Sequence, residues 1–342
     1  MKNKKSLKII YSTLFVLAIV VLLVILILIN KPEVKPDLII GYSADSFGHA
    51  PIYIAKELGL FEKQGLNLEY IPFTSSKYSR QAISTGQVNI VTGGANNFID
   101  PIAKGINIKF IAPMVFASTY AYVRPNDVQT LLDLNNTAIA TRIDSTSGYV
   151  FNKILKENNI NIQFEYVDID NAYTPLALMD KKIISAALKG AEGAEEFFKT
   201  GAIILPEWES KGYKDRFFVG TSVIVNMDFL NENEEVVDKF IDAYIEAHKF
   251  MVENPDETNK ILTNYINNVN KDIISYSPED VEKSLSIMKY YLWADLNNFS
   301  DLSDYAYKNN LIDKNLTLED IFDTRYENKL KQAQKEIYEQ NS

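Results

Sequence analysis

From residue 38 onward, short apolar runs alternate with helical patterns, and glycines stand at many of the joints. This rhythm restricts the chain more than its composition does. Repeated strand–helix alternation folds into a parallel sheet with helices over both faces. LIIGY at 38–42, LNLEYI at 66–71, VNIV at 88–91 and IKFIA at 108–112 read as strands. Helices are expected at 51–58 and 77–84, and TGGANN leads into another that stops at Gly105. The rhythm restarts after Arg124-Pro125, with strands at 137–141, 164–169, 184–188 and 202–205. The run 217–225 (FFVGTSVIV) reads as one strong strand where the chain returns. From Glu234 the pattern turns helical, with apolar residues at three- and four-residue steps until Pro255. Only the tail KQAQKEIYEQNS is poor enough in apolar residues to read as disordered. A length of 342 residues suits two domains.

Composition removes several classes of function. Thirty-five basic against 45 acidic residues give a net charge of −10, which argues against a nucleic-acid partner. With no cysteine, thiol catalysis, iron–sulfur clusters, disulfides and cysteine lipidation are excluded. The two histidines, His49 and His248, lie too far apart for an HExxH-type zinc motif, and neither metal nor cofactor is expected.

The amino end sets the compartment. Residues 9–29 carry no charge, and as a helix they would span about 31 Å, enough to cross a bilayer core. Lys2, Lys4, Lys5 and Lys8 outweigh Lys31 and Lys35, so residues 1–8 are expected to be a cytoplasmic tail and the bulk of the chain to face outward. A cleaved signal peptide has a shorter apolar region and a small-residue cleavage site. The exit ILINKPEVKP has no such site, so a retained anchor at 9–29 is the preferred reading, with 30–37 as a tether.

In open α/β sheets a ligand sits beyond the carboxyl ends of the strands. That rule nominates four loops. The first offers Ser43, Asp45, Phe47 and His49; the second offers Ser75 and Ser76. The third offers Gly93, Gly94, Ala95 and Asn96, and the fourth Arg142, Ser145, Thr146, Ser147 and Tyr149. Hydroxyls and free amides at a helix start can hold a sulfonate, nitrate or carboxylate. Ser145 or Ser147 can equally cap that helix, and one residue can cap while neighbouring amides bind. His49 fits either a ligand donor or a hydrogen-bonded loop residue. Tyr42, Phe47, Tyr120 and Tyr149 could supply flat apolar walls, although most of the 20 tyrosines must serve packing.

The segments GYSADSFGHAPIYIAKELGLFEKQGLNLEY, QAISTGQVNIVTGGANN, AKGINIKFIA and DAYIEAHKFMVENPDET, taken in order, resemble the substrate-binding proteins of ABC importers. The similarity is to the group binding aliphatic sulfonates, taurine, nitrate and thiamine-precursor pyrimidines. Asn89 stands where that group often has Asp, and ALKGAEGAEE replaces its Trp–Glu–Pro-like element. The resemblance implies a two-lobed, type II periplasmic-binding-protein-like α/β clamshell behind the transmembrane helix. Lobe 1 would comprise 38–116 and 222–342, and lobe 2 would comprise 117–221, with hinges near 113–119 and 220–225. It also implies polar contacts at Lys189 and Glu192, a small-molecule ligand, permease and ATPase partners, and a monomer without enzymatic activity. The iron-binding cysteine cluster of related pyrimidine synthases cannot exist here. A small organic anion is the expected ligand, a pyrimidine or other heterocycle the alternative, and a sensor or adhesion module the remoter reading.

Overall fold

The computed structural model describes Leu17 and residues 35–339, apart from 45, 74–75, 118, 142–145, 169–172, 212, 214–217, 270 and 272–274. The chain divides into residues 1–36 and the compact unit 37–342. Apart from Leu17, the expected tail and anchor at 1–29 lie outside the described residues, as does most of the tether. Among the described residues no helix is long and apolar enough to cross a membrane.

Within 37–342 the strands run, in chain order, β1 Leu38–Ser43, β2 Leu68–Phe73, β3 Ile90–Gly94, β4 Ile108–Pro113, β5 Phe116–Ala117 and β6 Thr119–Val123. There follow β7 Thr137–Ala140, β8 Phe164–Val167, β9 Ala186–Gly190, β10 Ile203–Ile204, β11 Phe218–Val219 and β12 Thr221–Asn226. They form two five-stranded sheets, ordered β2-β1-β3-β12-β4 and β10-β6-β9-β7-β8. The chain passes between the sheets twice, and the two passages, β5 and β11, pair antiparallel with each other.

The sheets expected to be parallel are mixed. β12 is antiparallel to β3 and β4, and β6 is antiparallel to β9 and β10. The reason lies in the connectivity. Each passage delivers the chain to the edge where the parallel strands end, so the strand that follows must run back the other way. The single strand expected at 217–225 is likewise two strands. Gly220 separates β11, which belongs to the passage, from β12, which belongs to the first sheet.

The first sheet is covered on both faces, as a buried sheet requires. Leu38, Ile40 and Ile90 join a core that includes Phe61, Phe240 and Tyr244, whereas Val91 and Phe110 join another that includes Phe98, Phe299 and Phe322. The helix Glu234–Glu253 packs against the helix Ala50–Glu57. The tail expected to be disordered, 331–342, begins inside the helix Glu327–Gln334 and continues as a π-turn over Lys335–Glu339, with 340–342 outside the described residues. Ile337 is buried and the Tyr338 hydroxyl stands 2.6 Å from His248 Nδ1, so sparse apolar anchors suffice to dock it.

Candidate functional site

On the first sheet's side, the turn Phe47–His49 follows β1 and runs into the helix Ala50–Glu57. Ser46 Oγ accepts the Gly48 N–H at 3.2 Å. The Tyr53 hydroxyl reaches the carbonyls of Ser43 and Ser46, and the Tyr290 hydroxyl donates to the Phe47 carbonyl at 2.8 Å. His49 is buried and its Nδ1 lies 2.6 Å from Thr92 Oγ1, which ties the turn to β3. Phe47 is fully buried, and Ser43 is half-buried at the strand end.

The segment TGGANN is only partly a loop, because Thr92, Gly93 and Gly94 lie in β3. A Cβ on Gly93 would come 2.7 Å from the Phe98 ring, so packing alone requires glycine there. Ala95 is buried with its N–H on the Gly220 carbonyl at 2.9 Å, while Asn96 is half-buried and opens the helix Asn96–Ala103. Arg80, on the helix Ser76–Ser84, donates to Asn97 Oδ1 at 3.3 Å. Arg80 was not among the sequence candidates. The signal for it was present one helical turn after the second nominated loop.

On the second sheet's side, Thr119 and Tyr120 open β6 and pair with Gly190 and Lys189 of β9. Thr119 is a junction. Its carbonyl accepts the Trp208 indole N–H at 2.9 Å, and its hydroxyl lies 3.4 Å from the hydroxyl of Ser147. Ser147 is half-buried in the first turn of the helix Thr146–Glu157, where unpaired backbone N–H groups concentrate positive potential. Tyr120 is buried, with its hydroxyl donating to the Ile287 carbonyl at 3.2 Å. Lys189 is half-buried, and its ammonium stands 3.9 Å from Glu196 Oε2.

The turn Ala191–Gly193 lies against the turn Phe47–His49, so elements of the two sheets meet where both chain passages run. The turns Phe47–His49 and Ala191–Gly193 therefore border the zone between the sheets. Ser76 starts a helix that packs on β3 and β1 of the first sheet and on the helix Asn96–Ala103. Asp45, Ser75, Arg142 and Ser145 lie outside the described residues, and Ser76, Thr146, Tyr149 and Glu192 are placed by backbone alone. Asn89, the position where Asp is common in the resembling group, accepts the Ile39 N–H at 2.8 Å with its side-chain carbonyl, a role that needs no charge. The chemistry on offer is hydroxyls, amides and the cations Lys189 and Arg80, which is a set suited to holding a small solute.

Comparison with known proteins agrees with the fold. A 229-residue stretch is 22% identical to a protein of Brucella abortus (strain 2308) named as a binding protein without a stated ligand, covering 66% of this chain and 70% of that one. The structure resembles the periplasmic aliphatic sulphonate binding protein of Escherichia coli, with TM-score 0.67, 15% identity, and 84% and 92% of the two chains covered. It also resembles the periplasmic nitrate-binding protein of Synechocystis PCC 6803, with TM-score 0.65, 14% identity, and coverage of 89% and 90%. These likenesses establish a two-sheet α/β fold of the periplasmic-binding-protein kind. The family model described as NMT1/THI5 like matches residues 46–258, more than half of the chain, and the protein accordingly belongs to that family.

Proposed function

We propose that the protein is the extracytoplasmic solute-binding component of an ABC importer, capturing a small organic anion between two lobes without altering it. The observation that carries this reading is the antiparallel pair of passages, Phe116–Ala117 with Phe218–Val219. Two short strands joining two sheets make a hinge of few contacts, which suits rigid-body closure around a guest. The lobes would be 38–116 with 222–342, and 117–221. Residues 9–29 would anchor the protein beside its permease.

An anionic guest of the sulfonate, taurine or nitrate kind is favoured by the helix start at Thr146–Ser147, by the half-buried Asn96 and by the cations Lys189 and Arg80. The resemblance to sulfonate- and nitrate-binding folds supports the same class. Of the nominated residues, Phe47, His49, Gly93, Ala95 and Tyr120 would shape and brace the site. Ser43, Gly94, Asn96, Ser147 and Lys189 would face the guest, together with Asp45, Ser75, Ser76, Arg142, Ser145, Thr146, Tyr149 and Glu192 where the loops reach it.

A thermal-shift screen of the full chain with taurine, alkanesulfonates, nitrate and aminopyrimidines tests the proposal. A ligand at a hundredfold its Kd stabilises the folded state by about 2.7 kcal/mol, so a saturable rise in Tm with at least one anion is expected. A rise with aminopyrimidines alone would replace the ligand class. A folded protein indifferent to every solute would overturn the receptor reading.

A further inference from the structure

Gly94 closes β3 opposite Thr221, where β12 begins after the second passage. A Cβ on Gly94 would stand 3.0 Å from Asn96 Oδ1 and 3.1 Å from Asn97 Nδ2, so both side-chain amides lie over its bare Cα. Asn97 is half-buried in the first turn of the helix Asn96–Ala103, and its Oδ1 accepts from Arg80 Nη1 at 3.3 Å. A guanidinium only donates, so the atom it meets must be the carbonyl oxygen of the amide. Arg80 therefore fixes which end of Asn97 turns toward Gly94, and that end is the NH2 group. Among the described residues Asn97 Nδ2 donates to no protein atom, yet it is not sealed away from solvent. Asn96 has no such anchor among the described residues and can present either end of its amide.

We propose that Asn97 is a specificity-determining residue of the solute site, a permanent hydrogen-bond donor to an acceptor oxygen of the guest, with Arg80 as the positioning residue behind it. This assignment rests on the proposed solute-binding role. The carboxyl end of β3 is where an open α/β sheet receives a ligand, and the Ala95 N–H on the Gly220 carbonyl keeps that end beside the passage. The guanidinium also polarises the amide, which strengthens its N–H as a donor. Sulfonate and nitrate oxygens only accept, and they suit such a group in any rotation. A guest that turned an N–H toward Asn97 would set two donors face to face and leave both unpaired. The positive charge of Arg80 acts on the guest through a neutral amide, without touching it.

The test is calorimetric titration of the full chain with ethanesulfonate and with nitrate. Asn97→Asp is nearly isosteric and gains Arg80 as a counter-ion, so it should keep the parent's Tm while its affinity falls about tenfold or more. Asn97→Ala and Arg80→Met should each weaken binding about threefold, and Arg80→Lys should retain most of the affinity. Arg80→Met added to Asn97→Ala should cause no further loss, because the two residues act as one unit. If the parent binds either anion and Asn97→Asp binds it as tightly, the receptor reading stands and Asn97 leaves the site. If Arg80→Met weakens the Asn97→Ala protein as much as the parent, Arg80 touches the guest itself and the positioning role is overturned. A parent that binds neither anion would overturn the anionic reading of the site, and the role of Asn97 with it.

Discussion

The Tyr290 hydroxyl donates to the Phe47 carbonyl across 2.8 Å, joining positions 243 residues apart. Phe47 is fully buried, so this contact comes in place of water rather than in addition to it. Replacing Tyr290 by Phe keeps the ring and removes the donor. The carbonyl keeps the Ala50 N–H as its other donor, so the change removes one hydrogen bond, a loss of about 0.5–1.5 kcal/mol. Urea unfolding should show that loss as a lower midpoint with an unchanged slope; an unchanged midpoint would mean that water fills the role.

His248 supplies a pH dependence. It is fully buried on the helix Glu234–Glu253 among the rings of Tyr244, Tyr290 and Tyr338, and burial pushes its pKa from 6.5 down to about 3. The folded state thus resists a proton that the unfolded chain accepts. Its contribution is fully present above pH 6.5 and is lost as pH falls from 6.5 toward 3. Between pH 7 and pH 5 the loss is about 2 kcal/mol. In His248→Gln that share of the acid sensitivity should vanish, read as a smaller difference between unfolding free energies at the two pH values.

Gly41 lies in β1 between β2 and β3, opposite Ile71 and Val91. A Cβ there would sit 2.5 Å from the Phe73 ring and 3.1 Å from Val91 Cγ1. Gly41→Ala should therefore overpack the sheet and cost about 1–3 kcal/mol. Calorimetry on the full chain checks this; a variant as stable as the parent would show that the Phe73 ring moves aside freely.

Gly193 gives a test directed at the ligand. A Cβ at this position would fall on Lys189 Cε, the far end of a flexible side chain. Gly193→Ala should push the Lys189 ammonium away while leaving Tm within a few degrees of the parent. If Lys189 neutralises an anionic guest, affinity should fall several-fold by calorimetric titration. Equal affinities would remove Lys189 from the site.

Lys199, on the helix Ala194–Lys199, is 3.2 Å from Asp280, on the helix Pro278–Ser286. The pair links a helix that follows β9 of the second sheet to one in the carboxyl-terminal part of the chain. A partly exposed ion pair contributes roughly 0.2–1 kcal/mol and weakens with salt. Lys199→Ala should enlarge the radius of gyration of the ligand-free protein in small-angle scattering at low salt, and the difference from the parent should shrink at high salt. Identical profiles at low salt would show that the pair does not restrain closure.

The strand–helix alternation was legible because the inner strands bury both faces and so read as apolar runs, as LIIGY does, while the half-exposed edge strands β2 and β8 keep polar residues such as Glu69 and Glu165 among apolar ones. The hydroxyls and glycines near the helix starts were legible as well. Their division of labour was not. His49 pairs with Thr92, Gly93 makes room for Phe98, and Tyr120 reaches Ile287. Each of these contacts joins residues whose proximity only the folded chain creates, except Gly93 and Phe98, where the neighbour is near in sequence but the ring's direction is not written in it.

The sequence by itself determined the class of layers, the absence of thiol chemistry and the family, because these follow from periodicity, composition and the order of segments. Tertiary structure alone decided the mixed strand directions, the pairing of Phe116–Ala117 with Phe218–Val219 and the docking of the tail through Tyr338 on His248. Local propensity sets which residues form a strand, but direction and partner depend on where the chain re-enters a sheet, and that is fixed only when distant segments pack together.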